Sequence, residues 1–469
     1  MKRCLRTLAA LAALASALAG CRAVRDARRA QEEAAPTGEG AVDRGKVDLS
    51  GRSLEELVAF ALTNRPSMAS AAIEVQDARL ALREIAADAP LASSTPWNAA
   101  HASASLGYSE SSKAAHFDDF EAKTRKGDAT GGISVDLLVW DFGRNDARAR
   151  AQSENVIAAE QSLVKEGYVV FSEVSSAYFA LLQNNALLEV AETNVVQYAD
   201  HLERAESMFE QGEAQKLDVL RAKLDLARAC ESLVAASNDV AVSGARLMAA
   251  LGVDASQGDF RSVLGERPSG LVDVVRGFAD TEETADEAFA FARTNAPAMK
   301  IARARLRAAS AQVDYAIADL KPSVSASLSL NWTDPLWYWR WGVNAAQSLF
   351  TGWRKTTAVD RAVLSMRAAE STVNAAEQQL SRAIEVAVAE RDNAREGVRS
   401  AEESVRSATE NLETVTSRYE VGDVSRVDFT DAVSAYAEAQ GNRIKAFYRG
   451  QMAEAALFET TGRLPVYAK

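Results

Sequence analysis

Cysteine is nearly missing from this chain of 469 residues, and its three copies cannot build a disulfide framework. Cys4 and Cys21 fall in the N-terminal leader region, and Cys230 stands alone on a helical pattern, where it reads as a small apolar packing residue. Histidine is equally scarce. His101, His116 and His201 fall in a strand, a loop and a helix with no ligand spacing between them. His116 beside Asp118 and Asp119 reads as a solvated surface loop. With no Gly-rich phosphate loop either, no metal, cofactor or catalytic constellation is expected, and the chain is not read as an enzyme. Basic residues are outnumbered, 53 against 65 acidic, for a formal charge of −12. That balance argues against a nucleic-acid partner and is compatible with cationic traffic. Outside the leader no run of 18 apolar residues occurs, so any membrane crossing must use β-strands.

The leader itself has a basic start (Lys2, Arg3, Arg6) and a Leu/Ala-rich stretch from Thr7 to Ala19. It is too short for a stable span and reads as an export signal. Its end, Leu18-Ala19-Gly20-Cys21, resembles the bacterial lipoprotein signal, which implies cleavage before Cys21 and acylation of that cysteine, palmitate included. Arg22 does not meet the aspartate rule for inner-membrane retention, so the same resemblance implies outer-membrane sorting. Loss of the leader takes the formal charge to −15. Residues 21–52 are polar and charged and read as a lipidated tether.

Proline and glycine are also thin where it matters. Arg144 to Gln211 and Arg354 to Val421 each contain no proline and one glycine. Each span reads as a single helix of about 67 residues, or about 100 Å. Each ends in a similar stretch, Phe209 to Gly212 then Asp218, and Tyr419 to Gly422 then Asp428, at a constant offset of 210 residues. Glycine closing a helix and an acidic residue opening the next give the tip of a helical hairpin. A second duplication precedes these. Ala59 to Met68 (AFALTNRPSM) returns as Ala290 to Met299 (AFARTNAPAM), identical at seven of ten positions but offset by 231. The 21-residue difference therefore lies between the two places.

Between the short and the long helices the apolar period changes from helical to two. Ala100, Ala102, Ala104, Leu106 and Tyr108 alternate with polar or small residues, and Ile133, Val135, Leu137 and Val139 do the same. A polar loop is expected between them, at about Ser109 to Ala129, and it absorbs the extra 21 residues. The second copy alternates at Val324, Ala326, Leu328, Leu330 and Trp332, then at Trp337, Trp339, Trp341, Val343 and Ala345. Trp97, Trp140, Trp332, Trp337, Trp339 and Trp341 lie in these strands or at their ends, which suits the aromatic girdle of an outer-membrane barrel. Four strands cannot close a barrel, and an open edge in lipid is forbidden, so other copies must complete it; three copies give twelve strands.

The expected fold is thus mostly α with a membrane β-barrel portion, built from a duplicated strand pair plus long helical hairpin. The parts are a signal peptide (1–20), a tether (21–52), a first repeat (53–251), a linker (252–281), a second repeat (282–462) and a tail (463–469). In the first repeat the strand pair is placed at about 97–140 and the hairpin at 144–251. In the second they are placed at about 322–350 and 354–462. Short helices open each repeat, Ser53 with a capping box and the next with Ile73, Leu80 and Ile85 on one face. Val398, Val405, Leu412 and Tyr419 run seven apart beside Ala401, Ala408 and Val415, a coiled-coil stripe that permits close approach.

The ordered set resembles the TolC-type outer-membrane efflux proteins, in their lipoprotein branch. It comprises Asn64 and Asn295 in Asn-x-Pro, Trp140-Asp-Phe-Gly-Arg144, Phe350-Thr-Gly-Trp-Arg354, and both tips. That resemblance implies a homotrimer with a 12-stranded barrel in outer-membrane lipid on an α-helical coiled-coil tunnel. It also implies service as the exit duct of a tripartite efflux or type I secretion system. Partners so implied are a periplasmic adaptor, docking around Gly212 and Gly422, and an inner-membrane pump of RND, ABC or MFS type. The family's Tyr-x-x-Gly-x5-Asp-x-x-Asp maps to Tyr419, Gly422, Asp428 and Asp431. By resemblance the two aspartates ring the periplasmic gate, and Tyr419 holds the closed state toward Asp218. The basic residue expected at the gate is replaced by Val424, with Arg426 displaced. On the residues alone, Asp218 and Asp428 also suit plain helix-start donors. Two competing readings are a periplasmic adaptor lipoprotein and a structural coiled-coil envelope lipoprotein.

Overall fold

The computed structural model describes residues 53–88, 90, 100–117, 120–212, 215–253, 283–333, 336–420 and 423–463. The signal, the tether with Cys21, most of the expected linker, the tail beyond Arg463, Trp97 and Gly422 lie outside these residues.

The duplication is carried through element by element. The first repeat holds α1 (Leu54–Asn64), α2 (Pro66–Ala87), β1 (Ala100–Phe117), β2 (Phe120–Trp140), α3 (Arg144–Glu210) and α4 (Lys216–Ala250). The second holds α5 (Ala285–Asn295), α6 (Pro297–Ala318), β3 (Ser323–Thr333), β4 (Leu336–Ala346), α7 (Arg354–Glu420) and α8 (Arg426–Thr461). Paired helices match at 11, 22 and 67 residues, and the return arms run 35 and 36. Ser53 and Thr284 each close a capping box, on Glu56 and Glu287, which fixes where α1 and α5 begin. Hydrogen bonds from the Thr284 backbone and side chain hold the Glu287 carboxyl below its ordinary range. Pro66 and Pro297 occupy first helical positions, where a missing N–H costs nothing.

Two compact units emerge. Among the described residues, one contains Ala78–Val156 and Arg305–Ala369, and the other contains 53–77, 157–304 and 370–463. The first unit carries one antiparallel sheet in the order β1-β2-β3-β4. Here one expectation needs correction. Residues 109–117 and 120–129, expected as a loop, are strand: the β1–β2 ladder continues to Phe117↔Phe120, while β2 leaves β3 at Thr130↔Thr333. A ladder is made by backbone groups, so a polar sequence with no alternation can still sustain it. Most of the extra 21 residues fall in this hairpin, as lengthened strands: β1 and β2 hold 18 and 21 residues against 11 each in β3 and β4.

The sheet has two unlike faces. Ile133, Leu330 and Trp339 share one row, and Val135, Leu328 and Trp341 the next. Trp339 and Trp341 are each 67% exposed, so this apolar face is uncovered among the described residues. The opposite face is polar, with Ser103 Oγ 2.8 Å from Ser134 Oγ and Asn331 Nδ2 donating to Ser329 Oγ at 3.0 Å. A bulge between Leu138 and Trp140 returns Trp140 to the apolar side, opposite Val324. Where the strands turn into long helices, buried Asp141 accepts from the N–H groups of Gly143 (3.1 Å) and Asn145 (2.6 Å). Asp319 joins both junctions, 3.3 Å from Arg144 and 3.2 Å from Lys355.

The second unit holds the packed core. Leu57 and Ala61 of α1 meet Val170, Val174 and Phe179 of α3, Leu247 of α4, and Ile444 and Phe458 of α8. Burial pushes the Tyr448 phenol up to about 12, with Tyr178 adding to the shift. A smaller equivalent cluster joins Ala288 and Ala292 of α5 to Leu380 and Ile384 of α7. The expected linker begins too early at 252, because Val253 is buried in the main core and its N–H bonds Met248 O at 3.0 Å. Of the α2 stripe only Ile85 is buried; Ile73 is 64% and Leu80 59% exposed.

Gly252 and Gly462 close the return arms at φ +73° and +70°, each against the Asn-x-Pro turn of its own repeat. A Cβ on Gly462 would meet Pro297 Cδ at 3.0 Å and Ala296 Cα at 3.3 Å. Gly462→Ala is therefore expected to lower stability by about 2 kcal/mol, from left-handed strain plus a contact neither ring nor backbone can relieve. Gly212→Ala, with nothing within 4 Å of the added carbon, should cost only the strain, about 1 kcal/mol. Equal denaturation midpoints for the two variants would contradict this.

Candidate functional site

The two hairpin tips belong to the second unit, and in each an aspartate sits in the first turn of the return arm. Gly212 ends α3 at φ +78°, its N–H bonding Phe209 O at 3.0 Å. The return arm α4 opens with Asp218, whose Oδ2 accepts from the Gln215 N–H at 3.3 Å. In the second tip the Asp423 N–H reaches back to Arg418 O at 2.9 Å. Ser425 then caps α8: its Oγ accepts from the Asp428 N–H at 3.3 Å and donates to Asp428 Oδ2 at 2.7 Å. Asp428 is thus held at the first turn, where a carboxylate also suits the helix dipole. Asp431 lies one turn further along α8 and is exposed.

Tyr419 is placed by rings. It stacks on Phe429 with centroids 4.8 Å apart and planes at 16°, and His201 of α3 lies 6.1 Å from Tyr419 and 5.6 Å from Phe429. His201 is only 3% exposed. Three elements, α3, α7 and α8, therefore lock together just below the tips. A second tie, Tyr198 Oη to Ser434 Oγ at 2.9 Å, joins α3 to α8. Between the arms of the first hairpin, Lys223 pairs with Glu206 at 2.9 Å. The coiled-coil stripe is confirmed in burial: Ala401 and Val405 are buried, and Val398, Ala408, Leu412 and Val415 are half-buried.

In sequence His201 is one of three scattered histidines. No signal in one helix marks it, because its partners come from α7 and α8, more than 200 residues away. The junction carboxylates Asp141 and Asp319 were likewise missed, although an aspartate just ahead of a helix start is a legible cap for Asp141. Of the girdle residues, Trp140, Trp337, Trp339 and Trp341 are exposed, and Trp332 packs 6.1 Å from Trp337. Among the described residues no cluster of three metal-ligating side chains occurs, and no helix is long and apolar enough to cross a membrane.

The profile of the family described as outer membrane efflux protein matches residues 57–253 and 290–463, one segment per repeat. No curated protein matches the chain. Among solved structures, a membrane protein from Pseudomonas aeruginosa superposes with a TM-score of 0.75 at 20% identity, covering 87% of this chain and 93% of its own. The outer membrane protein VceC from Vibrio cholerae gives 0.71 at 19%, covering 87% and 96%. The MtrE outer membrane channel of Neisseria gonorrhoeae, described in its open state, gives 0.71 at 17%, covering 89% and 92%. At such identities these likenesses establish the fold.

Proposed function

The chain belongs to the outer membrane efflux protein family, and from that premise we propose how its own residues make the duct. The protein is an outer-membrane efflux channel; channels of this family are homotrimeric and work with a periplasmic adaptor and an inner-membrane pump. One observation carries the reading for this chain: a four-stranded sheet with two open edges and one uncovered apolar face. Neither edge can stay unpaired in lipid. Three copies bring twelve strands, edge β4 of one against β1 of the next, with the apolar face toward lipid and the polar face around a water-filled lumen.

At the hairpin tips, Asp428 and Asp431 of three copies form the narrowest ring of the closed duct, and Tyr419 with Asp218 holds the tips together. The turns at Gly212 and Gly422 receive the adaptor, and acylated Cys21 adds a lipid anchor. Opening is an iris-like switch between two packings of the hairpins. The ring stack of His201, Tyr419 and Phe429 is the part of each protomer that must shear or travel as a block when the tips part. A pump of RND, ABC or MFS type supplies the energy.

Single-channel recording in a planar bilayer tests the gate. Crowded carboxylates concentrate cations by about tenfold or more in a narrow aqueous ring. The protein should therefore pass small, cation-selective currents, and Asp428→Asn/Asp431→Asn should reduce the cation preference by about tenfold. Channels whose selectivity is untouched by the double substitution would remove these aspartates from the constriction and leave the duct standing.

A further inference from the structure

The polar face of the sheet carries a charge pattern that the gate does not explain. Antiparallel partners share a face, so the ladder can be read as rows around the lumen. One row runs Ser103↔Ser134↔Ser329↔Arg340. The next, one step farther from the β3–β4 turn, runs His101↔Asp136↔Ser327↔Gly342. Arg340 is exposed and lies 5.8 Å from the ring centre of Tyr338, which shares its face. It is the one Lys or Arg on the polar face within 101–107, 130–138, 323–333 and 336–346. Of the hydroxyls in its row, Ser329 Oγ accepts from Asn331 Nδ2 and keeps its own proton to offer an anion beside the guanidinium, while Ser103 and Ser134 are bonded to each other at 2.8 Å. The neighbouring row instead holds a carboxylate, with Ser134 Oγ donating to Asp136 Oδ2 at 3.5 Å, and an imidazole whose Nε2 is 3.5 Å from Asp88 Oδ1.

We propose that Arg340, with the hydroxyl of Ser329, forms an anion-attracting ring in the barrel lumen, opposite in sign to the aspartates at the tips. The ring rests on the trimeric barrel reading above. Its ligands are small inorganic anions and the carboxylate, sulfonate or phosphate groups of molecules in transit. An anionic cargo that has passed the acidic tips meets a favourable site before it leaves. Cations meet their favourable row at Asp136 and then a barrier at Arg340. Charge selection in this duct is thereby split between two stations rather than set wholly by the gate.

The test reads the local potential without needing an open gate. Ser329→Cys, on a Cys230→Ser background, places a thiol beside Arg340 in the folded protein in lipid vesicles. It is reacted with methanethiosulfonates that end in a sulfonate or in a trimethylammonium group. At roughly 6 Å from a guanidinium in water, the anionic-to-cationic rate ratio should exceed that of the same protein with Arg340→Gln by about threefold at 0.15 M salt. At 0.01 M it should exceed it by about sevenfold. Asp136→Asn should move the ratio the other way, toward the anionic reagent. A thiol at 329 that reacts freely but shows no dependence on Arg340 overturns the ring and leaves the barrel intact. A thiol at 329 shielded from both reagents while Leu330→Cys reacts would reverse the assignment of faces, and both readings would fall together.

Discussion

Replacing Glu454 by alanine should destabilise the protein by about 2–4 kcal/mol, more than any single glycine or cap change in the helical body. The Glu454 side chain is 3% exposed on α8 and lies 3.3 Å from Arg395 Nη2 of α7. Arg391, one turn before it, is 5% exposed and donates to Glu283 O at 2.9 Å and to Asp392 Oδ1 at 2.8 Å. Arg463 in turn pairs with the Glu283 carboxylate and lies with its guanidinium 4.3 Å from the centre of the Phe291 ring. These groups tie α7 and α8 to the start of α5, where Thr284 caps the helix. Removing the buried carboxylate takes away the charge that Arg395 pairs with across the contact of α7 with α8. A fully buried pair would cost about 3–5 kcal/mol when broken. Arg395 keeps 31% of its side chain in solvent, which lowers the figure. The double change Arg395→Met/Glu454→Leu should recover most of the loss, because a packed apolar pair needs no desolvation. Chemical denaturation of the two variants beside the unsubstituted protein checks both statements. A Glu454→Ala midpoint at the level of the unsubstituted protein would mean that water reaches the pair.

Much of this architecture was legible because it is written twice. The helix lengths follow from where proline and glycine stop, and the hairpin tips from Gly212 and Asp218 with Gly422 and Asp428. The four strands follow from a change of apolar period. What escaped depends on interactions that a linear pattern does not encode. The ladder from Tyr108↔Ala129 to Phe117↔Phe120 is bonded through backbone groups, so the polar side chains of that stretch gave no sign of it. Val253 reads as the start of a polar segment, yet it turns back into the core through the left-handed Gly252. Arg391, Arg395 and Glu454 look like ordinary helix-surface charges in sequence; only packing between elements distant in the chain buries Arg391 and Glu454.

Ile73 and Leu80 teach the opposite lesson. Their spacing marks a face correctly, but period alone does not distinguish a face that meets the chain's own core from one left open in a single copy. Both are open here, as Trp339 and Trp341 are on the sheet. In a chain whose function needs three copies and a bilayer, apolar residues sort into three destinations. Sequence shows only that they are apolar.

The sharpest test of that sorting is a charge placed on the sheet. Leu330 lies mid-strand on the apolar face, flanked by Ile133 and Trp339, while Ser327, three residues earlier, lies on the polar face between Asp136 and Gly342. An arginine on the lipid side of a barrel costs about 2–4 kcal/mol near the midplane, and a trimer carries three of them, for about 6–12 kcal/mol in all. That rivals the whole stability of a typical domain. Leu330→Arg should therefore abolish the membrane-embedded trimer. Ser327→Arg, facing water and beside a carboxylate, should assemble with a change of about 0.5 kcal/mol or less. The measurement is the fraction of protein recovered as trimer in the outer-membrane fraction. Alternation in the strand makes the contrast strict, because odd and even steps cannot both face lipid. If the two variants assembled equally well, the sheet would not be a wall between lipid and water. The reading of three copies closing one barrel would then lose its physical basis.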